Sequence, residues 1–250
     1  MPGLDVHREG AVLRITLARA EKHNAFDAEL IASLTAAFAQ VGDARAVVLG
    51  AEGASFSAGA DLEWMRASID LTAEQNMQEA RRLRELLEAV DGCPVPVVAR
   101  VHGHALGGAC GLIACCDIVV AARTATFGFT EVKIGLVPAV ISPFVIERIG
   151  TGAARRLFVT GERFDADTAL RIGLVHELSD DLDAAVDRVL TELLRAAPRA
   201  VRAAKRIARR PLTDDESIEL IAELRIGEEG QEGVGAFLEK RAPAWTDSLE

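Results

Sequence analysis

Two glycine-rich turns and one glutamate hold the chemistry that can be read directly from this chain. The run Ala99–Pro138 reads as strand, glycine-rich turn, buried helix and second strand, then a short segment carrying one acidic residue, Glu131. Gly103, Gly107 and Gly108 break the chain where backbone must turn or approach a ligand. Ala109–Cys116 is small and apolar on every side, as suits a helix sunk in a domain. A helix opening at a double glycine aims free N–H groups and its positive dipole end at whatever lies in front. Upstream, Ser55–Arg66 repeats the arrangement. The short apolar strand Ala46–Leu49 leads to Gly50 and Gly53, the small-residue turn Ser57-Ala58-Gly59-Ala60, and Asp61 opening a helix. Each turn can give one N–H to the same carbonyl oxygen, which is how a developing oxyanion is held. Taken singly, either turn is equally explained by glycines that only permit close packing. Neither is a phosphate-binding loop: Ala109 and Cys110 stand where Lys and Ser or Thr are required, and no GxGxxG run suggests a dinucleotide.

The chain that must position these turns has 250 residues, half of them hydrophobic, enough for a large core. Its formal net charge of −10 argues against a broad basic face for nucleic acid. The one dense basic run, Arg199 to Arg210, lacks aromatic residues to stack bases and reads as a solvated or acid-paired helix face. No apolar run approaches the roughly 18 residues of a membrane span, and Met1–Gly10 has no signal-peptide core, so a cytoplasmic protein is expected. Cys93, Cys110, Cys115 and Cys116 match no zinc or redox spacing and read as small buried thiols.

Strands are expected at Val12–Leu17, Ala46–Leu49, Val97–Val101 and Ile118–Ala122. A helix is expected from Leu30, whose apolar positions recur at helical spacing. Helices follow at Leu62–Ser68, Leu71–Val90, Ile146–Arg156 and Asp165–Ile172. Beyond Leu182 every apolar pattern is helical: Leu190–Ala197, Arg202–Ala208, Ile218–Ile226 and Gln231–Lys240.

Phe56-Ser57-Ala58-Gly59-Ala60-Asp61-Leu62, His102–Cys110, Cys116-Asp117-Ile118, Phe127-Gly128, Phe164–Val175 and Glu232–Arg241, in this order, resemble the crotonase superfamily, also called the enoyl-CoA hydratase/isomerase family. The resemblance implies an α/β fold of the ClpP/crotonase type, a spiral of ββα units over residues 1–182, with a helical C-terminal region over 183–250. It implies an acyl-CoA thioester substrate, no metal or redox cofactor, and assembly as a homotrimer or a dimer of trimers. Ala60 and Gly108 would supply the oxyanion N–H groups, and Glu131 would move the protons. Lys22, Ala58, Asp61, Leu62, Trp64, Gly107, Gly111 and Pro138 would contact coenzyme A or the acyl group, with His23 beside Lys22 in the same loop. Trp64 and Met65 could instead only pack a lid. Phe237 and Lys240 match residues that reach a neighbouring subunit's coenzyme A.

One departure stands out. Typical hydratases of the family carry one glutamate at the position of Gly111 and another at that of Glu131. Here only the second is present. One carboxyl can still serve hydration by taking a proton from water and returning it to carbon. It also suffices for a double-bond isomerase; decarboxylation and non-catalytic acyl-CoA binding are further alternatives. Gly111-Leu112-Ile113-Ala114-Cys115-Cys116-Asp117 and Thr130–Pro143 look like bacterial hydratases acting on 3-methylglutaconyl-CoA and related branched substrates. Such a substrate has a second carboxylate, for which Lys133 and Arg66 are candidates by position.

Overall fold

A computed structural model describes residues 1–249, with side chains described through Thr246. The chain opens with a hairpin of β1 (Leu4–Glu9) and β2 (Val12–Leu17), turning at Gly10 with φ 55°. Asp27 caps α1 (Ala28–Ala39) by accepting the Leu30 N–H at 2.9 Å. Then come β3 (Ala46–Ala51), the short α2 (Leu62–Ala67) and α3 (Ala73–Asp91), which begins with a Thr72/Gln75 capping box. The central unit is β4 (Val97–Val101), β5 (His104–Leu106), α4 (Gly108–Ala114), β6 (Ile118–Ala122) and β7 (Thr126–Gly128). It is followed by α5 (Ser142–Thr160), bent where Gly150 takes φ 74°, then β8 (Arg163–Asp165), α6 (Ala166–Arg171) and β9 (Glu177–Ser179). Four helices finish the chain: α7 (Leu182–Arg195), α8 (Pro198–Arg209), α9 (Asp214–Ile226) and α10 (Glu228–Glu239).

The strands form a six-stranded sheet ordered β1-β2-β3-β4-β6-β9 and a three-stranded sheet ordered β5-β7-β8. Successive turns of the spiral add β4 and then β6 to the large sheet, and β5 and then β7 to the small one. Every residue of β3 is buried, as expected for a parallel strand covered on both faces. On one face, α1, α3, α4 and the small sheet share a core that includes Leu49, Phe56, Leu86, Val97, Leu112 and Phe127. On the other, Leu182, Ala185, Val186 and Leu190 of α7 cover Val12, Val48, Val98 and Val120. All four cysteines are free and buried. No helix among the described residues is long and apolar enough to cross a membrane.

Expected and observed elements agree closely in the centre of the chain. Two differences have physical reasons. Met1–Gly10 carries no sequence pattern of its own, yet β1 forms because β2 offers it a paired edge, with Leu4 as its buried anchor. The three-residue strands β5, β7, β8 and β9 are too short to show an alternation, and each exists only through pairing with distant chain.

Beyond α7 the helices bury little: α8 and α9 have no buried residue and α10 only Ala236. Polar contacts fasten this region to the core. Lys205 donates to Asp117 at 2.7 Å and to the Val95 carbonyl at 3.0 Å, while Asp117 also accepts the Val97 N–H at 2.7 Å. Arg45 donates to the carbonyls of Leu194 and Ala196 at 2.6 and 2.7 Å. Lys205 is nearly buried, so its ion pair is little screened by water. Lys205→Met should lower stability by about 1.5–3 kcal/mol, the range for a hydrogen bond to a charged group. Chemical denaturation checks it, and an unchanged midpoint would show that the pair is dispensable.

Candidate active site

The two glycine turns are sewn together by backbone hydrogen bonds. Phe56 N–H donates to the His102 carbonyl at 2.9 Å, Ser57 N–H to His104 at 2.9 Å, and Leu106 N–H to Ser57 at 3.1 Å. A second strand of contacts comes from the loop before α1. Phe26 N–H donates to Gly59 at 2.7 Å, and Asp61 N–H to Phe26 at 2.8 Å. Ala60 lies between these bonds and takes part in neither. Gly59 and Gly107, each directly before one of the expected donors, have φ of 92° and 54°. A side chain would be strained in that region, and at Gly59 a Cβ would come within 3.0 Å of the Leu106 carbonyl oxygen. These two glycines immediately precede the N–H groups of Ala60 and Gly108. Among the described residues neither finds a protein acceptor.

Both residues line one cavity of about 810 Å³, walled by Ala58, Leu62, Trp64 and Met65 on one side and Thr130, Glu131 and Lys133 on another. An inner lobe of about 170 Å³ shares Ala60, Trp64, Leu83, Gly108, Glu131 and Val140 with it. Phe26, Ile31, Pro138 and Ile141 complete this lobe, in which Glu131 is the only ionisable group among the described residues.

Aromatic packing fixes the approach to Glu131. Phe127 stacks on Phe164 with centroids 5.8 Å apart, and Phe129 meets Phe158 edge-on at 5.1 Å. Gly107 N–H donates to Gly128 at 2.8 Å, tying the second turn to this segment. A Cβ on Gly107 would stand 3.2 Å from Glu131 Oε1, so glycine there leaves room for the carboxyl. Glu131 Oε2 is buried and has no hydrogen-bond partner among the described residues. Burial pushes the pKa of this carboxyl up from the ordinary value, opposed only by its own backbone N–H. A carboxyl with one unpartnered oxygen thus lines the same cavity as two residues whose N–H groups have no acceptor among the described residues.

Of the residues expected from sequence, Ala58, Ala60, Leu62, Trp64, Gly107, Gly108, Glu131 and Pro138 line the cavity or its inner lobe. Asp61 does not. It is buried and caps α2, accepting the N–H groups of Glu63 and Trp64 at 2.8 and 3.2 Å. Lys22 lies 3.3 Å from that carboxylate and bonds Glu63 at 2.8 Å, outside the lining. Gly111 is also absent from the wall. It is buried, and a Cβ there would come within 2.6 Å of Ile141 Cβ, so Ile141 occupies the space a side chain would need. Arg66 is exposed and outside the lining, whereas Lys133 is part of it. Phe237 on α10 and Lys240 just past its end are exposed and outside the cavity lining of their own chain, with Phe237 82 % exposed. Phe26, Ile141 and Arg163 were not legible as site residues; nothing in their local sequence distinguishes them from core or surface positions.

The packing at Gly111 predicts that Gly111→Glu alone is destabilised. Overpacking costs about 1–3 kcal/mol and the buried charge adds to it. Trimming the neighbour in Gly111→Glu/Ile141→Ala should restore part of the thermal midpoint; no recovery would show that Ile141 is not the obstacle. A second expectation concerns Glu131. Because burial disfavours its ionised form, the folded state keeps the proton to higher pH than the unfolded chain. The resulting stabilisation is complete below the ordinary carboxylate range and lost as pH rises through the raised value. Glu131→Gln, always neutral, should therefore gain on the wild type in thermal midpoint as pH rises from the ordinary carboxylate range through the raised value. A constant difference across that range would contradict the burial effect.

This geometry has close counterparts. The family model for enoyl-CoA hydratase/isomerase matches residues 7–248. A Thermus thermophilus protein provisionally named an enoyl-CoA hydratase is 34 % identical over 246 residues, covering 94 % of this chain and 97 % of its own. The crystal structure of an enoyl-CoA hydratase from Shewanella pealeana superposes with a TM-score of 0.92 at 42 % identity, covering 97 % of this chain and 96 % of that one. Pseudomonas aeruginosa AtuE gives 0.94 at 37 % identity, covering 98 % and 99 %. The spiral, the paired turns and the match over almost the whole length agree: the fold is of the crotonase type, and the chain belongs to the enoyl-CoA hydratase/isomerase family of enzymes.

Proposed function

We propose that the protein adds water to a 2-enoyl-CoA thioester through an enolate held in an oxyanion hole. The observation that carries this reading is a single cavity lined by Ala60 and Gly108, whose N–H groups have no acceptor among the described residues, and by Glu131, whose buried Oε2 has no partner there. The Ala60 and Gly108 N–H groups would receive the thioester oxygen. One such donor supplies about 3–4 kcal/mol of transition-state stabilisation where it has been removed. Ionised Glu131 takes a proton from water as the water oxygen bonds to the β-carbon, and the π electrons pass to the thioester oxygen. The Glu131 carboxyl then returns that proton to the α-carbon, and the enolate collapses to the hydrated thioester. A raised pKa makes Glu131 a stronger base before the transfer and leaves it able to give the proton back. The thioester is itself the electron sink, so no metal or redox cofactor enters the scheme.

The finer reading is a branched or carboxylated acyl group such as 3-methylglutaconyl, supported by the sequence resemblance around Gly111 and Thr130–Pro143. Ala58 and Leu62 at the cavity wall, and Lys22 outside it, would follow coenzyme A outward. Phe237 and Lys240 would meet a neighbour's coenzyme A in a homotrimer or a dimer of trimers. The exposure of Phe237, and of Ile226 at 80 %, supports an assembly that covers this helical region. A soluble cytoplasmic enzyme fits these features.

A second reading, double-bond isomerisation, is favoured by one observation: Ile141 fills the place beside Gly111, leaving Glu131 as the sole carboxyl of the inner lobe among the described residues. Turnover of crotonyl-CoA and 3-methylglutaconyl-CoA in H₂¹⁸O separates the two. Hydration puts one labelled oxygen into each product, faster with the branched ester. Glu131→Gln should lower kcat by about 10²–10⁴-fold with KM little changed. No label from either ester, together with a shifted double bond from a 3-enoyl-CoA, would replace hydration by isomerisation.

A further inference from the structure

Of the residues lining the large cavity, only Lys133 and Arg163 are cationic. Among the described residues neither forms an ion pair or a side-chain hydrogen bond. The neighbouring acids are already engaged. Glu79 accepts the Trp64 Nε1–H at 3.1 Å and pairs with Arg82, and Glu162 pairs with Arg156 at 2.6 Å. Glycine shapes the wall under both cations. A Cβ on Gly161 would lie 3.3 Å from Lys133 Cε, and one on Gly128 would lie 3.4 Å from Arg163 Cγ. Each stem therefore lies flat against backbone, and the β7–β8 register sets Arg163 directly opposite Gly128. The inner lobe, by contrast, offers a second carboxylate no cation and already contains Glu131. Neither cation lines that inner lobe.

We infer that Lys133 and Arg163 together recognise a carboxylate at the far end of the acyl chain, making this wall the specificity site for a dicarboxylic thioester. The inference rests on the thioester reading above and extends it from reaction to substrate class. A planar guanidinium and an ammonium lining one cavity suit a carboxylate, which can accept from both kinds of donor. Arg163 thereby takes the role that position alone had suggested for Arg66.

Equilibrium binding of unreactive saturated esters tests this without requiring turnover. The probes are butyryl-CoA, glutaryl-CoA and the methyl ester of glutaryl-CoA, against wild type and K133Q/R163Q. The double variant should weaken glutaryl-CoA about tenfold or more while leaving butyryl-CoA and the methyl ester within about twofold. An equal loss for all three would mean that the pair reads the phosphates of coenzyme A, and no loss for any would make both residues bystanders. Either result overturns the carboxylate assignment while leaving hydration standing. Conversely, a failed labelling experiment leaves this binding comparison fully readable.

Discussion

The site depends on a backbone constraint: Ala60 and Gly108, from distant parts of the chain, line one cavity with N–H groups that bond to nothing among the described residues. Side chains could not enforce this as firmly. The pairing of residues 56–57 with 102–106 fixes the separation of the turns, and Phe26 holds the first turn from its other side. Positive φ at Gly59 and Gly107 then sets the direction of the following peptides. A free N–H facing a cavity is normally a liability, since buried donors left unsatisfied cost free energy. Here the surrounding hydrogen bonds hold that arrangement in place.

Glu131 obeys the same logic with opposite sign. Its apolar surroundings and unpartnered oxygen disfavour the anion, which costs stability at neutral pH and raises basicity. Neighbouring apolar packing decides how many carboxyls share this space. Ile141, arriving from the loop before α5, fills the volume beside Gly111, so a second acid could not be added there by one substitution. The inner lobe is left with one proton-transfer group among the described residues and apolar walls, an economy that both hydration and isomerisation can use.

The periphery follows different rules. Helices α8 to α10 bury few side chains and are fastened by polar anchors, Lys205 to Asp117 and Arg45 to the carbonyls that end α7. Large apolar side chains such as Ile226 and Phe237 remain exposed on them. Adhesion through a few buried charges tolerates variation of the helix surface, and leaves that surface free for contacts beyond the single chain.

Sequence by itself determined the elements whose signals are local. Small apolar runs marked β3, β4, α4 and β6; the paired small-residue turns and Glu131, with an apolar stretch on either side, marked parts of the cavity wall. It also carried the family, through motifs in the right order over nearly the whole chain. Tertiary structure decided what depends on residues far apart. Strands of three residues such as β5 and β7 have no pattern until they pair. Asp61 reads as a possible contact until its carboxylate is seen capping α2, and Gly111 until Ile141 is seen over it. Arg163 becomes a cavity residue only because β8 pairs with β7 and lays it across Gly128. Local propensity and spacing act over a few residues, whereas the wall on which Arg163 stands is settled by the pairing of β8 with the distant strand β7.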